Sequence, residues 1–145
     1  MSVLTTGGLS IDLPPGWDGR IHLSKPPRSG VLLHAASFAL PADCGDYGSG
    51  AVEVMGGSDV LVCLLEHGPD AVAAELFRHE GIPRLRSSDF SPHAMQRVIP
   101  GMAGSQHFFR AGGRPFCLYV VLGSALVIAP LVRAADRVVQ TISVG

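Results

Sequence analysis

Between Asp43 and Gly50 stand four side chains with chemistry to offer: the Cys44 thiol, the Asp46 carboxylate, the Tyr47 phenol and the Ser49 hydroxyl. A thiol or hydroxyl beside a carboxylate suits nucleophilic catalysis or the binding of a small polar ligand, and loops held on a rigid sheet often carry such groups. The surrounding residues do not complete a known device. Gly45-Asp46-Tyr47-Gly48-Ser49-Gly50 is rich in glycine but lacks the Gly-Lys-Ser/Thr ending that cradles phosphates. Ser49 sits in Tyr47-Gly48-Ser49-Gly50-Ala51, which is not the Gly-x-Ser-x-Gly elbow of hydrolases. Cys44, Asp46, Tyr47 and Ser49 are therefore candidate ligand- or partner-contacting residues, and no residue is assigned a catalytic role.

Metal and nucleic-acid chemistry are less well supported. No Cys-x-x-Cys or His-Glu-x-x-His occurs. Cys63 and His67 share one face of an expected strand, but four residues at about 3.3 Å each put their backbones about 13 Å apart, too far for one zinc. His79-Glu80 is expected at a helix end, where the dipole favours a cationic histidine. His93 and Arg97 would be helical neighbours that repel a cation. Arg84, Arg86 and Arg97 could gather on one side, yet Asp89 lies among them, and nucleic acid needs a dense basic patch. No metal and no cofactor is expected. The single lysine, Lys25, beside ten arginines points to a high-GC, bacterial genome.

The elements that must position these residues follow from composition and pattern. The chain has 145 residues, 11 basic and 12 acidic, for a formal net charge of -1. That length suits one domain, 1–145, and that charge gives no bulk pull towards nucleic acid or an anionic membrane. Charged residues are 16%, hydrophobic residues 47% and mean hydropathy +0.33, which excludes intrinsic disorder and coiled coil. Cys44, Cys63 and Cys117 form no disulfide framework and are expected as buried, reduced thiols. Met1 to Thr6 lacks the basic and apolar regions of a signal peptide, so a cytoplasmic location is expected. The uncharged run between Arg114 and Arg133 approaches the length of a bilayer span, but Pro115, Gly123, Ser124 and Pro130 interrupt it. It reads as two buried strands, Pro115 to Leu122 and Ala125 to Ala129, joined by a turn.

Alternation places a half-buried strand at Leu9 to Leu13, stopped by Pro14-Pro15-Gly16, and a second at Arg20 to Ser24, with Ile21 and Leu23 inward and His22 outward. The two are expected to form an opening hairpin around Trp17-Asp18-Gly19. Lys25 to Gly30 is a loop, Val31 to Leu40 a long apolar strand, Pro41 to Gly50 a second loop, and Ala51 to Met55 a short strand. Gly56 to Asp59 turns into Val60 to Glu66, which is apolar on both faces and so belongs centrally in a sheet. Gly68-Pro69-Asp70 opens an amphipathic helix closed by Gly81, and Ser91-Pro92 opens a second, short one. Gln106 to Ala111 and Pro115 to Leu122 form a hairpin across Gly112-Gly113. A last helix starts near Pro130, burying Leu131, Ala135, Val138 and Ile142, and Thr141 to Val144 could end as an edge strand. The pattern indicates an α+β fold with a largely antiparallel sheet.

Leu9-Ser10-Ile11-Asp12-Leu13-Pro14-Pro15-Gly16-Trp17 is similar to the opening of PsbP-like domains: a strand, Pro-x-Gly-Trp, then a second hairpin strand. Gly113-Arg114-Pro115 leading into an apolar strand, and a final helix ending Val138-Val139-Gln140-Thr141-Ile142-Ser143-Val144, resemble the same group. The resemblance covers the two ends of the chain and implies a central antiparallel sheet flanked by two or three helices, an α/β/α sandwich, in a group of mostly non-catalytic proteins. It carries no functional residue over. Low charge and surplus apolar residues in a small domain point to an accessory protein acting through an apolar protein–protein interface, as a homodimer or with a protein partner. The alternative is a small-molecule-binding protein or enzyme using the Asp43–Gly50 loop. A third reading is membrane association through the uncharged stretch, without an integral segment.

Overall fold

The computed structural model describes residues 2–23, 30–45 and 48–145. The expected strand end at Ser24, the loop residues Lys25 to Ser29, and both Asp46 and Tyr47 lie outside the described residues. The elements are β1 (Ser2–Thr6), β2 (Leu9–Leu13), β3 (Asp18–Leu23), β4 (Val31–Ala36), α1 (Ser49–Val52), β5 (Val60–Glu66), β6 (Ala103–Ala111), β7 (Arg114–Leu122), α2 (Ile128–Val139) and β8 (Ser143–Val144). They form an α+β fold with two antiparallel sheets. A five-stranded sheet runs in the order β3-β4-β5-β7-β6, and a three-stranded one in the order β1-β2-β8.

Alternation in the large sheet divides its side chains between two cores. Leu33, Leu64 and Leu118 face β2 (Leu9, Ile11) and α2 (Ala135, Val138, Val139) in the larger core. On the opposite face Leu61, Cys63, Leu65, Tyr119 and Val121 meet Ala51 of α1 and Leu40, Cys44, Met95 and Met102 on connecting segments. No long helix covers this second face: α1 is a single turn. Trp17 is half-buried against the larger core.

The β6–β7 hairpin forms as the sequence requires. Gly112 and Gly113 have φ of 58° and 73°, the conformation that a two-residue turn between twisted strands needs. β5 is central, between β4 and β7. α2 ends at Val139, short of the helical spacing expected to reach Ile142, and β8 falls within the alternative edge strand Thr141 to Val144.

Elsewhere the structure differs from the sequence expectations. The opening hairpin does not form. β2 pairs with β1 and β8, while β3 pairs with β4 in the other sheet. The turn closed by Trp17 N–H on the Pro14 carbonyl, at 3.1 Å, carries the chain from one sheet to the other. Leu23, expected inward, is 66% exposed. β4 ends at Ala36 rather than Leu40, because Ser37 turns the chain: its N–H donates to the Val60 carbonyl and its Oγ to Asp59 Oδ1. Ala51 to Met55 is not a strand, since Val52 N–H closes a helical turn on the Gly48 carbonyl at 2.9 Å.

Gly68 to Gly81 forms two 3-10 turns, Pro69–Ala73 and Glu75–Phe77, broken where Ala74 is extended. A helix this short is held mainly by burying one face, and of these residues only Phe77 is buried. Ser91 does cap the next turn, accepting from His93 N–H at 3.1 Å, but only Pro92–Ala94 follows as 3-10 helix. Ala125 to Ala129 is not a strand either. β7 already has β5 on one edge and β6 on the other, so no edge remains for it. The chain instead turns at Ser124, whose Oγ accepts from Leu126 N–H, and enters α2. No helix among the described residues is long and apolar enough to cross a membrane.

Candidate functional site

Two regions gather polar groups. The first surrounds Cys44. Arg20, His34, Cys63, Tyr119 and Gln106 are paired in register across β3, β4, β5, β7 and β6, forming one row on the second face of the large sheet. The Arg20 guanidinium clamps the neighbouring loop: Nη2 donates to the Leu40 carbonyl at 2.8 Å and Nη1 to the Ala42 carbonyl at 3.2 Å. Cys44 Sγ lies 3.9 Å from the same Nη1 and donates to the Pro41 carbonyl at 3.4 Å. Asp43 Oδ1 accepts from Gly45 N–H, and Gly50 N–H closes the loop on the Cys44 carbonyl.

Burial pushes the Cys44 thiol above its ordinary range, Arg20 pulls it down, and Asp43 and Asp18 push it up again; the net shift is upward. The thiol is therefore protonated at neutral pH and lacks the thiolate a nucleophile needs. Burial also pushes up the other two thiols, Cys117 to about 11. All three cysteines are free and buried.

A recess of about 170 Å³ opens beside Cys44, lined by Arg20, His22, His34 and Asp43 among others. The rings of His22 and His34 stack 6.2 Å apart. Ser49 lines a different recess, of about 40 Å³, with Met95, Gln96 and Tyr119, whose hydroxyl accepts from Gln96 N–H at 2.8 Å. Cys44 and Ser49 thus line different recesses, although both lie on the loop picked out by the sequence.

The second region is a cleft of about 750 Å³ along the outer edge of β6. One wall is Leu76, His79 and Glu80; the other is Ile82, Pro83, Arg84 and Arg86 with Asp89; the floor is Gln106, His107 and Phe108. In an antiparallel strand, alternate residues point both backbone groups to the same side. Gly104 exchanges two 3.0 Å bonds with Ser91, and Arg110 two 2.8 Å bonds with His79 and Gly81, all away from β7. Gln106 and Phe108 are in phase with them. Their outward N–H and C=O groups meet no backbone partner among the described residues. The chain leaves the edge at Gly81 and returns at Ser91, so two residues of sheet edge lie open in between.

The wall Ile82–Arg86 is firmly held. Leu85 is buried and its N–H donates to Asp136 Oδ1 at 2.9 Å, while the Pro83 carbonyl accepts from Gln140 Nε2 at 3.0 Å; both partners belong to α2 or its C-terminal cap. Arg84 and Arg86 on either side of Leu85 are exposed and line the cleft. Asp89 Oδ2 accepts from Arg86 N–H at 3.0 Å and lies 3.9 Å from His107 Nε2. Glu80 pairs with Arg110 at 3.3 Å. Burial lowers the His107 pKa, nearby Asp89 raises it and His79 lowers it; the net shift is downward.

Asp89, His107 and Ser105 supply the residue types of a hydrolase triad on one side of β6. They do not form one. Ser105 Oγ has no hydrogen-bond partner among the described residues, and the residue is 1% exposed. A serine that touches neither a base nor solvent cannot attack a substrate. The described residues include no group of three His, Cys, Asp or Glu placed to hold a metal.

Exposed apolar side chains also stand on the loops that carry Val54, Val98 and Leu126-Val127. Arg97 lies 4.0 Å from Glu53, and Ala125 N–H donates to the Gly101 carbonyl at 2.7 Å. Leu126 is 92% exposed.

Sequence reasoning passed over the β6 cleft. Its one local signal is Pro83-Arg84-Leu85-Arg86, where a proline followed by charged–apolar alternation marks an extended strap. The open edge itself has no local signature. Comparison with family models, with curated proteins and with solved structures found no match.

Proposed function

We propose that this domain is a non-catalytic binding protein that takes an extended segment of a protein partner in the cleft along β6. The observation that carries this reading is the pair of open backbone positions, Gln106 and Phe108, on the floor of that cleft. Peptides add to such edges through main-chain hydrogen bonds. The protonated, clamped Cys44 thiol and the isolated Ser105 hydroxyl support a binding role over a nucleophilic one.

The test is a ¹⁵N-edited NMR titration with an uncharged, extended pentapeptide, acetyl-Thr-Gln-Val-Gln-Thr-amide. Saturable shifts of the Gln106 and Phe108 amides, with smaller ones at Gly81 and Ser91, are expected. Shifts confined to the Arg20–Gly45 recess would move the binding site there and overturn this reading.

A second reading is favoured by the exposure of Leu126: self-association through the loops that carry Val54, Val98, Leu126 and Val127. Light scattering over a dilution series tests it. A dimer that Leu126→Asp converts to monomer supports it, and a monomer at all concentrations removes it.

A further inference from the structure

Resting on that reading of the β6 cleft, we infer that the segment it takes is short and acidic, with carboxylates flanking the residues that pair with Gln106 and Phe108. Charge supplies the first argument. The cleft carries two carboxylates, and both have partners within the chain: Glu80 is paired with Arg110, and Asp89 is bound to Arg86 N–H and lies beside His107. Its two guanidinia, on Arg84 and Arg86, enter no ion pair or hydrogen bond among the described residues. The unmatched charge of the cleft is therefore positive. Guanidinium groups match carboxylates in planar, two-point geometry.

Rigidity supplies the second argument. Arg84 and Arg86 alternate with buried Leu85 on a strap tied to α2 at Leu85 N–H and the Pro83 carbonyl. Their backbone needs no ordering on binding, which removes part of the usual entropic cost. Length follows from the edge itself. Gly104 and Arg110 are already paired outward, with Ser91 and with His79 and Gly81. At about 3.3 Å per residue this leaves about 20 Å of edge between the two closures, enough for a few extended residues and no more.

The experiment uses fluorescein-labelled acetyl-Thr-Glu-Val-Glu-Thr-amide against its Gln and Lys counterparts, read by fluorescence anisotropy at low and high salt, with NMR to place each complex. The acidic peptide is expected to bind at least tenfold more tightly than the Lys counterpart, with the preference shrinking at high salt. Arg84→Ala with Arg86→Ala is expected to erase that preference, with the Gln peptide's affinity as the reference for the binding that remains. N-methylated versions of the acidic peptide, one for each strand phase, should include one that loses binding, because a methylated amide cannot donate to the edge. Equal binding of all three peptides at Gln106 and Phe108 would overturn the acidic preference and leave the binding reading intact. Failure of all three to shift those amides would overturn both. Concentration-dependent shifts of those amides without peptide would make the occupant a second copy of the chain and overturn the inference.

Discussion

Around Cys44 the polar groups are committed to the loop's own backbone: Arg20 to the Leu40 and Ala42 carbonyls, Cys44 to Pro41, and Asp43 to Gly45. Along β6 the cleft carboxylates have internal partners, while two backbone positions and two guanidinia have none among the described residues. Both regions combine charge, polarity and a concave surface. The difference is whether the groups that could meet a ligand are already met within the chain. A hydrogen bond made within a loop contributes to folding, whereas one left to water can be exchanged for a partner. The loop richest in chemically capable side chains thus has the features of scaffolding, and a plain stretch of strand has those of a binding edge.

That contrast predicts that damage to the Cys44 loop appears as lost stability and damage to the cleft as lost binding. The largest effect is expected from Gly50→Ala. A Cβ there would stand 2.4 Å from the Asp43 carbonyl oxygen, which is backbone and cannot swing aside. A loss of about 2–3 kcal/mol is expected in urea denaturation. An unchanged midpoint would mean that the loop is not part of the folded scaffold.

Arg20→Met keeps an unbranched apolar stem and removes the guanidinium clamp. It should cost about 1.5–2 kcal/mol, the low end for hydrogen bonds to a charged group, because the loop is only partly buried. Opening of the loop should make Cys44 react faster with a thiol reagent in the native protein, despite loss of the Arg20 charge that pulls the thiol down. Slower reaction would show that this charge outweighs the clamp.

A smaller, pH-dependent effect is expected at the cleft floor. The folded His107 pKa lies below its ordinary value of 6.5, so the unfolded chain takes up the proton first as pH falls. Its contribution to stability is present above about pH 6.5 and is lost as pH drops towards the folded value. Denaturation at pH 7.5, 6.5 and 5.5 should show this decline, and His107→Gln should flatten it. Glu66 acts in a lower window. Burial raises its carboxyl, but the paired bonds from Arg114 at 2.8 Å and the Val31 N–H more than offset this, leaving it below its ordinary 4.5. Stability tied to Glu66 is therefore kept above about pH 4.5 and lost as pH falls further. The smallest effect is expected from Arg84→Ala with Arg86→Ala, within about 0.5 kcal/mol of the parent, since exposed, unpaired side chains contribute little to folding. A larger loss would show the two arginines to be structural and weaken the contrast with Cys44.

Parts of this arrangement were legible in the sequence. Gly112-Gly113 between apolar runs announces the β6–β7 hairpin, and a doubly apolar Val60–Glu66 announces a central strand. The spacing of Leu131, Ala135 and Val138 marks α2. Each is a local pattern with a local cause. β1 was not legible: Ser2–Thr6 is largely exposed and gains its strand conformation from β2 through the Gly7-Gly8 turn. Ala125–Ala129 was misread because an apolar run does not reveal that both edges of its intended partner are already occupied. Of the candidate residues, Cys44 and Ser49 were found as residue types, but nothing local shows that they line different recesses. Arg84 and Arg86 looked like scattered charge because the strap that presents them is anchored to residues more than fifty positions away.

The sequence by itself determined the α+β class, the antiparallel hairpin, the terminal helix and the strands whose two faces are both buried. Turn glycines, alternation and helical periodicity act over a few residues and can be read directly. Only the tertiary structure decided how the strands divide between two sheets, which polar groups find partners, and which two residues of β6 keep an open edge. Those outcomes depend on which distant segments reach a given backbone group first, and a free edge is defined by a partner that never arrives.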